Sequence, residues 1–273
     1  MNTAEYVDQQ IEVLKNGGIP LDNAAWEAAL LCVGWPYVFG ASGQYCTVDY
    51  RKQAYARHGE KHPTIKTKCQ VFNGKKSTCT GCKWYPNGKK VRCYDCRGFT
   101  YWILYRIYGF KLDGSGCTSQ WNTASNWKAK GEVSDGIPQN TIVCLFYYKK
   151  DSKGRRTNTL EHTGLYYNGE TCECSNGVEY SKKLDKKWEV WAVPVCAQGG
   201  VTPVPPEPTP QPGYAVVTGN RLALREGPTT SAKVLTRLEH GSTVKIEPVP
   251  ADWEYVSAGN RKGFVMKQYI KEG

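Results

Sequence analysis

The sequence predicts an α+β domain over residues 1–197 followed by a small all-β barrel over residues 214–273. Three observations carry this reading. Apolar residues recur at helical spacing through "CRGFTYWILYRIYGF" (96–110), whereas "HTGLYYNGETCEC" (162–174) has two β-compatible runs about Asn168-Gly169, so one domain holds both element types. The stretch "QGGVTPVPPEPTPQPG" (198–213) favours an extended polyproline form and supplies no packed core, so it reads as a semi-rigid spacer. Beyond it, short β-rich runs (AVVT, TVKIEPV, WEYVSA, GFVMKQYI) are separated by Gly, Pro and Asn turns.

A chain of 273 residues with 40% hydrophobic content has enough apolar surface for two cores. No stretch approaches the roughly 18 consecutive apolar residues of a membrane span. The opening "MNTAEYVDQQIEVLKNGG" lacks the basic-then-apolar layout of a signal peptide, which leads us to expect synthesis in the cytoplasm. In that setting twelve cysteines point to reduced thiols, metal binding or catalysis before a disulfide framework. The net charge of +11 is concentrated in residues 44–94, where 12 Lys/Arg stand against Asp49 and Glu60. Such a surface suits an anionic partner: nucleic acid, anionic lipid or an acidic wall polymer.

From Arg97 to Tyr108, Phe99, Trp102, Ile103 and Ile107 fall on one helical face, and Gly109 is placed to end the helix. Cys96 therefore sits at a helix N-terminus, where unsatisfied N–H groups and the macrodipole favour the nucleophilic thiolate. Cys93 has no such position. A nucleophilic thiol also needs a base, and His58 and His62 lie in the basic segment and His240 in the second domain, which leaves His162.

Asn168-Gly169 is a strong hairpin signal. With these two at the turn, Leu165 faces Cys172 and Gly164 faces Glu173. His162, Gly164 and Tyr166 share one face by the period of two, Glu173 joins them as a diagonal neighbour of His162, and Cys172 and Cys174 point the other way. The resulting set is Cys96, His162 and Glu173, with the carboxylate orienting the imidazole.

The basic segment also carries Cys46, Cys69, Cys79, Cys82 and Cys93. C-T-G-C at 79–82 has the knuckle spacing of structural zinc sites, and Cys69 and Cys93 complete a candidate metal quartet, with Cys46 an alternative to Cys93. Structural zinc, disulfides and free thiols are the three readings; one of the first two is needed to hold so apolar-poor a segment in shape. Cys93 also lies three residues before Cys96, so oxidation joining the two would silence the nucleophile.

"NRLALREGPTTSAKVLTRLEHGSTVKI" with "GFVMKQYI" resembles a bacterial SH3-like domain, a module that binds peptidoglycan in cell-wall enzymes; Trp253 and Tyr255 are then either ligand-stacking or core residues. "GWPYVFG" (34–40), "DCRGF" (95–99) and "HTGLYY" (162–167) resemble the entry, nucleophile and histidine motifs of the NlpC family of papain-like cell-wall cysteine peptidases. The resemblance implies a papain-like fold, Cys96 as nucleophile and His162 as base. Glu173 takes a position usually held by histidine, and Arg97 one usually held by serine. Tyr37 matches the tyrosine lining the nucleophile's pocket, and Asp95 the acid that meets the substrate's free amine, so Tyr37, Asp95 and Arg97 form the expected substrate contacts.

The function this implies is a peptidoglycan endopeptidase cutting stem peptides beside D-glutamate, without a catalytic cofactor. It would be endolysin-like, of phage or prophage type, reaching the wall after release through a holin-type pore. A wall amidase or transpeptidase would use the same Cys and His. A zinc-containing nucleic-acid-binding protein is the reading of another class, although the bacterial cell wall is the expected partner.

Overall fold

Thr3 opens the first helix: its hydroxyl accepts from the Tyr6 N–H, Glu5 occupies the first turn, and α1 runs over Ala4–Asn16. Ala4, Val7 and Ile11 form its buried stripe. It packs on α2 (Leu21–Leu31), whose small Ala24, Ala25, Ala28 and Ala29 are buried. These elements belong to a computed structural model that describes residues 1–82, 90–204, 214–219, 221–247, 252–258 and 261–272. The chain divides into two units, Met1–Pro205 and Pro206–Gly273.

In the first unit, β1 (Ser42–Tyr45) pairs with β2 (Arg92–Tyr94), and the segment between them contains α3 (Val48–His58) and α4 (Thr64–Thr67). The predicted nucleophile helix is α5 (Cys96–Tyr108). Phe99, Trp102, Ile103 and Ile107 are all buried, and Gly109 ends it in the left-handed region at φ 69°. After α6 (Cys117–Asn122) come β3 (Trp127–Glu132), β4 (Ile137–Pro138), β5 (Val143–Lys150), β6 (Arg156–Tyr167), β7 (Glu170–Cys174), β8 (Val178–Ser181) and β9 (Val190–Pro194). Six of these strands form an antiparallel sheet in the order β3-β9-β5-β6-β7-β8. The unit is thus mixed helix and sheet, with α5 packed against β6, β7 and α2.

Two local features set the site's geometry. Asn168 and Gly169 both have positive φ, 48° and 92°, and close the β6–β7 hairpin. The register is the one the turn predicts, with Gly164 opposite Glu173 and Leu165 opposite Cys172. At the start of α5, a Cβ on Gly98 would lie 1.9 Å from the Ala41 carbonyl oxygen, so only glycine lets the helix approach that backbone.

The predicted spacer begins later than the proline pattern suggests. The N–H groups of Gln198 and Gly199 donate to the buried Asp22 carboxylate, and β10 (Pro203–Val204) pairs with β4. Residues 198–204 are therefore bound to the first unit, because a buried carboxylate on α2 recruits their amides. The remainder of the predicted spacer, 205–213, lies outside the described residues.

The second unit is an antiparallel sheet of β11 (Tyr214–Val217), β12 (Leu222–Arg225), β13 (Val234–Leu238), β14 (Thr243–Glu247), β15 (Trp253–Ala258), β16 (Arg261–Met266) and β17 (Ile270–Glu272), in the order β13-β12-β16-β15-β14-β11-β17. Ala215, Val217, Leu224, Val244, Val256 and Val265 form its core. Along β12 and β15 the buried residues alternate with half-buried ones, the period-two pattern of strands with one face to the core, whereas Ala215, Val216 and Val217 of β11 are all buried.

Candidate active site

Asp95, the residue before α5, fixes where the helix begins. Its Oδ1 accepts from the Gly98 N–H at 2.6 Å and its Oδ2 from the Gly40 N–H at 2.9 Å. Nucleophile helix and entry segment are thereby tied together, and Cys96 takes the first helical position, where its N–H has no intrahelical acceptor. Burial, with the adjacent Cys96, pushes the Asp95 carboxyl up to about 6, against the pull of Gly98, Arg97 and Gly40. Asp95 is 7% exposed, and both its oxygens already serve the protein's own backbone.

His162 projects from β6 and Glu173 from β7, on the shared face that the hairpin parity predicts. Their Nε2 and Oε2 atoms are 2.6 Å apart. The imidazole is also close enough to the Cys96 thiol for each to shift the other's pKa, and with Nε2 taken by Glu173 its Nδ1 remains for the sulfur. Burial draws the His162 pKa down, but hydrogen bonds and charge from Cys96 and Glu173 outweigh it and lift it to about 9. The Cys96 thiol is held well below its ordinary value by a hydrogen bond with Cys117, then, against burial, by His162 and by the Thr163 backbone N–H. Both shifts favour the same charge state, a thiolate on Cys96 beside an imidazolium on His162.

Several participants carry no sequence signal that singles them out. Lys187 Nζ lies 2.5 Å from Glu173 Oε1, so the carboxylate is held between two cations. Burial pushes Glu173 up, but His162 and Lys187 bring it below the usual carboxylate range. Tyr147, opposite His162 in the β5–β6 register, and Trp188 both pack against the imidazole, with centroids at 5.3 and 5.8 Å from it and 5.8 Å from each other, so the three rings form one aromatic cluster. Cys117, at the first turn of α6, has its Sγ 3.9 Å from that of Cys96. It is the thiol beside Cys96; Cys93, expected as an oxidation partner, instead turns its Sγ to the Gln44 carbonyl at 3.4 Å.

The remaining expected substrate contacts fall around this centre. Tyr37 is close enough to Cys96 and Asp95 that their charges, after burial, raise its pKa. Arg97 reaches the Gly114 carbonyl and the Ser42 hydroxyl, both at 3.3 Å, which anchors it to the protein's own loops.

The expected metal quartet is brought together in part. Cys69, Cys79 and Cys82 line one cavity of about 10 Å³, but its fourth cysteine is Cys46. Cys93, on β2, is not in that lining, although its thiol lies beside that of Cys46, whose pKa it lowers. Among the described residues no three His, Cys, Asp or Glu side chains already stand at metal-ligand spacing.

In the second unit, Trp253, Arg221, Arg225, Leu222, Met266 and Tyr269 line a groove of about 300 Å³. Tyr255 instead packs on Phe264, centroids 4.8 Å apart. Of the two aromatic residues expected either to stack on a ligand or to join the core, Trp253 is the one facing a groove.

Residues 220–271 match the family model described as the bacterial SH3 domain, so the C-terminal unit is a domain of that kind. No curated protein matches the chain. Among solved structures, the chain is similar to the structure of NlpC2 from Trichomonas vaginalis, at 9% identity over 51% of this chain and 47% of that one, with a TM-score of 0.21. It is also similar to the crystal structure of Ly7917 with the hydrolyzing product of MDP, at 15% identity over 63% of this chain and 83% of that one, again with a TM-score of 0.21. The chain thus spans about half the length of the first of these. No described helix is long and apolar enough to cross a membrane.

Proposed function

We propose that this chain is a cell-wall hydrolase of the cysteine peptidase type, cutting peptidoglycan stem peptides at a D-glutamyl bond, with its bacterial SH3 domain holding the wall. The observation that carries this is the series Cys96–His162–Glu173, with the thiol at the start of α5, the imidazole hydrogen-bonded to the carboxylate, and Tyr147 and Trp188 packed together against the ring. The Arg221, Arg225, Trp253 and Tyr269 groove supports the second half, since it offers cations and aromatic faces to an anionic, sugar-bearing polymer.

In the proposed reaction the Cys96 thiolate attacks the amide carbonyl carbon. The developing oxyanion is met by the Cys96 N–H at the helix terminus. As the C–N bond breaks, the His162 imidazolium gives its proton to the leaving amine, and a thioester remains on Cys96. His162, now neutral, takes a proton from water; the water oxygen attacks the thioester, and the thiolate and a carboxylic acid are released. Glu173 accepts from Nε2 throughout, so Nδ1 is presented to the sulfur and the imidazolium is stabilised. Tyr37 and Asp95 flank the thiol, where a stem peptide's free amine would meet the carboxylate.

Mass spectrometry of purified peptidoglycan fragments after digestion tests the reading. A new amine on the residue after D-glutamate, and its loss with Cys96→Ala, is the expected result. Release of whole stem peptides with a free N-terminal amine, leaving the lactyl carboxylate on the sugar, would indicate an amidase, and exchange onto an added amine a transpeptidase. A salt-dependent DNA shift without any wall cleavage would favour the nucleic-acid reading, which leaves the thiol–imidazole–carboxylate series without a use.

A further inference from the structure

The segment between Cys46 and Cys82 has little to hold it in shape. Among its described residues the buried aliphatic side chains are Ala54 and Ile65, against a surface rich in lysine. At its centre Cys46, Cys69, Cys79 and Cys82 line one small cavity with Arg51. Arg51 is 1% exposed, yet its Nη2 has no hydrogen-bond partner, while its Nη1 donates to the Ile65 carbonyl at 3.0 Å and its Nε to Cys46 Sγ at 3.3 Å. A guanidinium withdrawn from water and left partly unpaired calls for negative charge beside it. Carboxylates are absent from the cavity lining, and cysteine sulfurs are what surround it.

We propose that Cys46, Cys69, Cys79 and Cys82 bind one structural Zn²⁺ as a tetrathiolate, with Arg51 as its buried counter-ion. Zinc bound by four thiolates carries two net negative charges, which the guanidinium and the surrounding lysines neutralise. The local hydrogen bonds fit such a centre. The Phe72 N–H donates to Cys69 Sγ at 3.4 Å, and Arg51 Nε donates to Cys46 Sγ, as outer-shell donors do to metal-bound sulfur. Cys79 and Cys82 are joined by a 3₁₀ turn in which the Cys82 N–H donates to the Cys79 carbonyl at 2.8 Å, so both thiols belong to one short knuckle. Zn–S bonds of about 2.3 Å bring tetrahedral sulfurs to about 3.8 Å from one another. Binding therefore draws the four thiols together around a cavity already of ionic size. Cys93 does not line the cavity: its thiol lies on the Gln44 carbonyl at 3.4 Å and beside Cys46, as a neighbour of that ligand and not a fifth one.

The test is elemental analysis of the full-length protein purified under reducing conditions, followed by replacement of the metal with Co²⁺. One zinc per chain and an intense sulfur-to-cobalt charge-transfer band are expected. Cys46→Ser should lose both; Cys93→Ser and Cys96→Ala should keep both, the latter separating the metal site from the proposed peptidase. Arg51→Gln should weaken zinc by roughly 10–100-fold in competition with a chelator. Should the ligand variants fail to fold, the wild type still decides. Iodoacetamide should spare these four thiols and modify them once a chelator is added. Protein without stoichiometric zinc, disulfides among the four cysteines, or metal retained by Cys46→Ser and lost by Cys93→Ser would overturn the site.

Discussion

The Sγ atoms of Cys96 and Cys117 stand 3.9 Å apart, and the hydrogen bond between them is the largest influence holding the Cys96 thiol down. Cys117 bears the opposite consequence: this bond, then burial, pushes its own pKa up, so it is the S–H donor of the pair. Removing that donor should raise the Cys96 pKa. The pH midpoint of iodoacetamide alkylation at Cys96 is therefore expected to move upward in Cys117→Ala and to return toward wild type in Cys117→Ser, which keeps a hydroxyl donor. An unchanged midpoint in the alanine variant would remove Cys117 from the site.

The same proximity gives an oxidation product. Hydrogen peroxide converts the Cys96 thiolate to a sulfenic acid, and the Cys117 thiol displaces water from it to form a disulfide. Reaching the usual S–S length of about 2.05 Å needs an approach of about 1.9 Å from the observed separation. Wild-type activity lost to peroxide should return with dithiothreitol, whereas Cys117→Ala should lose it irreversibly through over-oxidation. A peptide map joining Cys93 to Cys96 instead would contradict the structure.

The imidazolium sets the alkaline edge of activity. His162 has its pKa raised to about 9, so its acid form persists through neutrality and is lost as pH rises through that value. The thiolate–imidazolium pair breaks there, and kcat/KM on a soluble muropeptide is expected to fall above about pH 9. Glu173→Gln removes one of the groups raising His162, so its alkaline edge should shift to lower pH, with activity reduced but present. His162→Ala should cost about 10²–10⁴-fold. A Glu173→Gln profile that overlays the wild type would show that the carboxylate does not act through His162.

Backbone proximity at the start of α5 makes Gly98 irreplaceable. With the new Cβ 1.9 Å from the Ala41 oxygen, Gly98→Ala must displace either the helix terminus or the entry segment. A loss of about 1–3 kcal/mol or more is expected in denaturant titration, with the nucleophile misplaced besides. Full stability in that variant would mean that the two backbones separate freely.

What the sequence makes legible here is whatever is encoded within one element or across one tight turn. The α5 stripe and Gly109 follow from a 3.6 period and a left-handed stop. The facing of His162 and Glu173 follows from Asn168-Gly169, because a two-residue turn dictates register. Lys187, Trp188 and Tyr147 reach the site from a loop and from β5, and nothing in their local sequence separates them from the chain's other lysines and aromatics. Cys117 likewise needs the packing of α6 on β6 to bring it to Cys96. That Cys46 and not Cys93 lines the cysteine cavity has the same origin: spacing counts residues, whereas of two thiols in contact with each other only the packing decides which one reaches the cavity.

The boundary of the first unit is the most consequential place where proline content misleads, and it can be tested by two truncations. Asp22 is 2% exposed and accepts from the Gln198 N–H at 2.9 Å, the Gly199 N–H at 2.8 Å and the Tyr108 hydroxyl at 2.5 Å. A chain ending at residue 197 lacks both amides and β10, leaving a buried carboxylate short of donors, at about 1–3 kcal/mol for each unmet group. A chain ending at residue 205 keeps them. Residues 1–205 should therefore melt well above residues 1–197 and cut soluble wall fragments as the full-length protein does, while neither should cut intact walls as fast. Residues 206–273 should bind walls without cutting, with Trp253→Ala weakening that binding. Equal melting temperatures for the two truncations would show that the amide contacts to Asp22 contribute nothing, and equal lysis of intact walls with and without the second unit would show that it does no targeting.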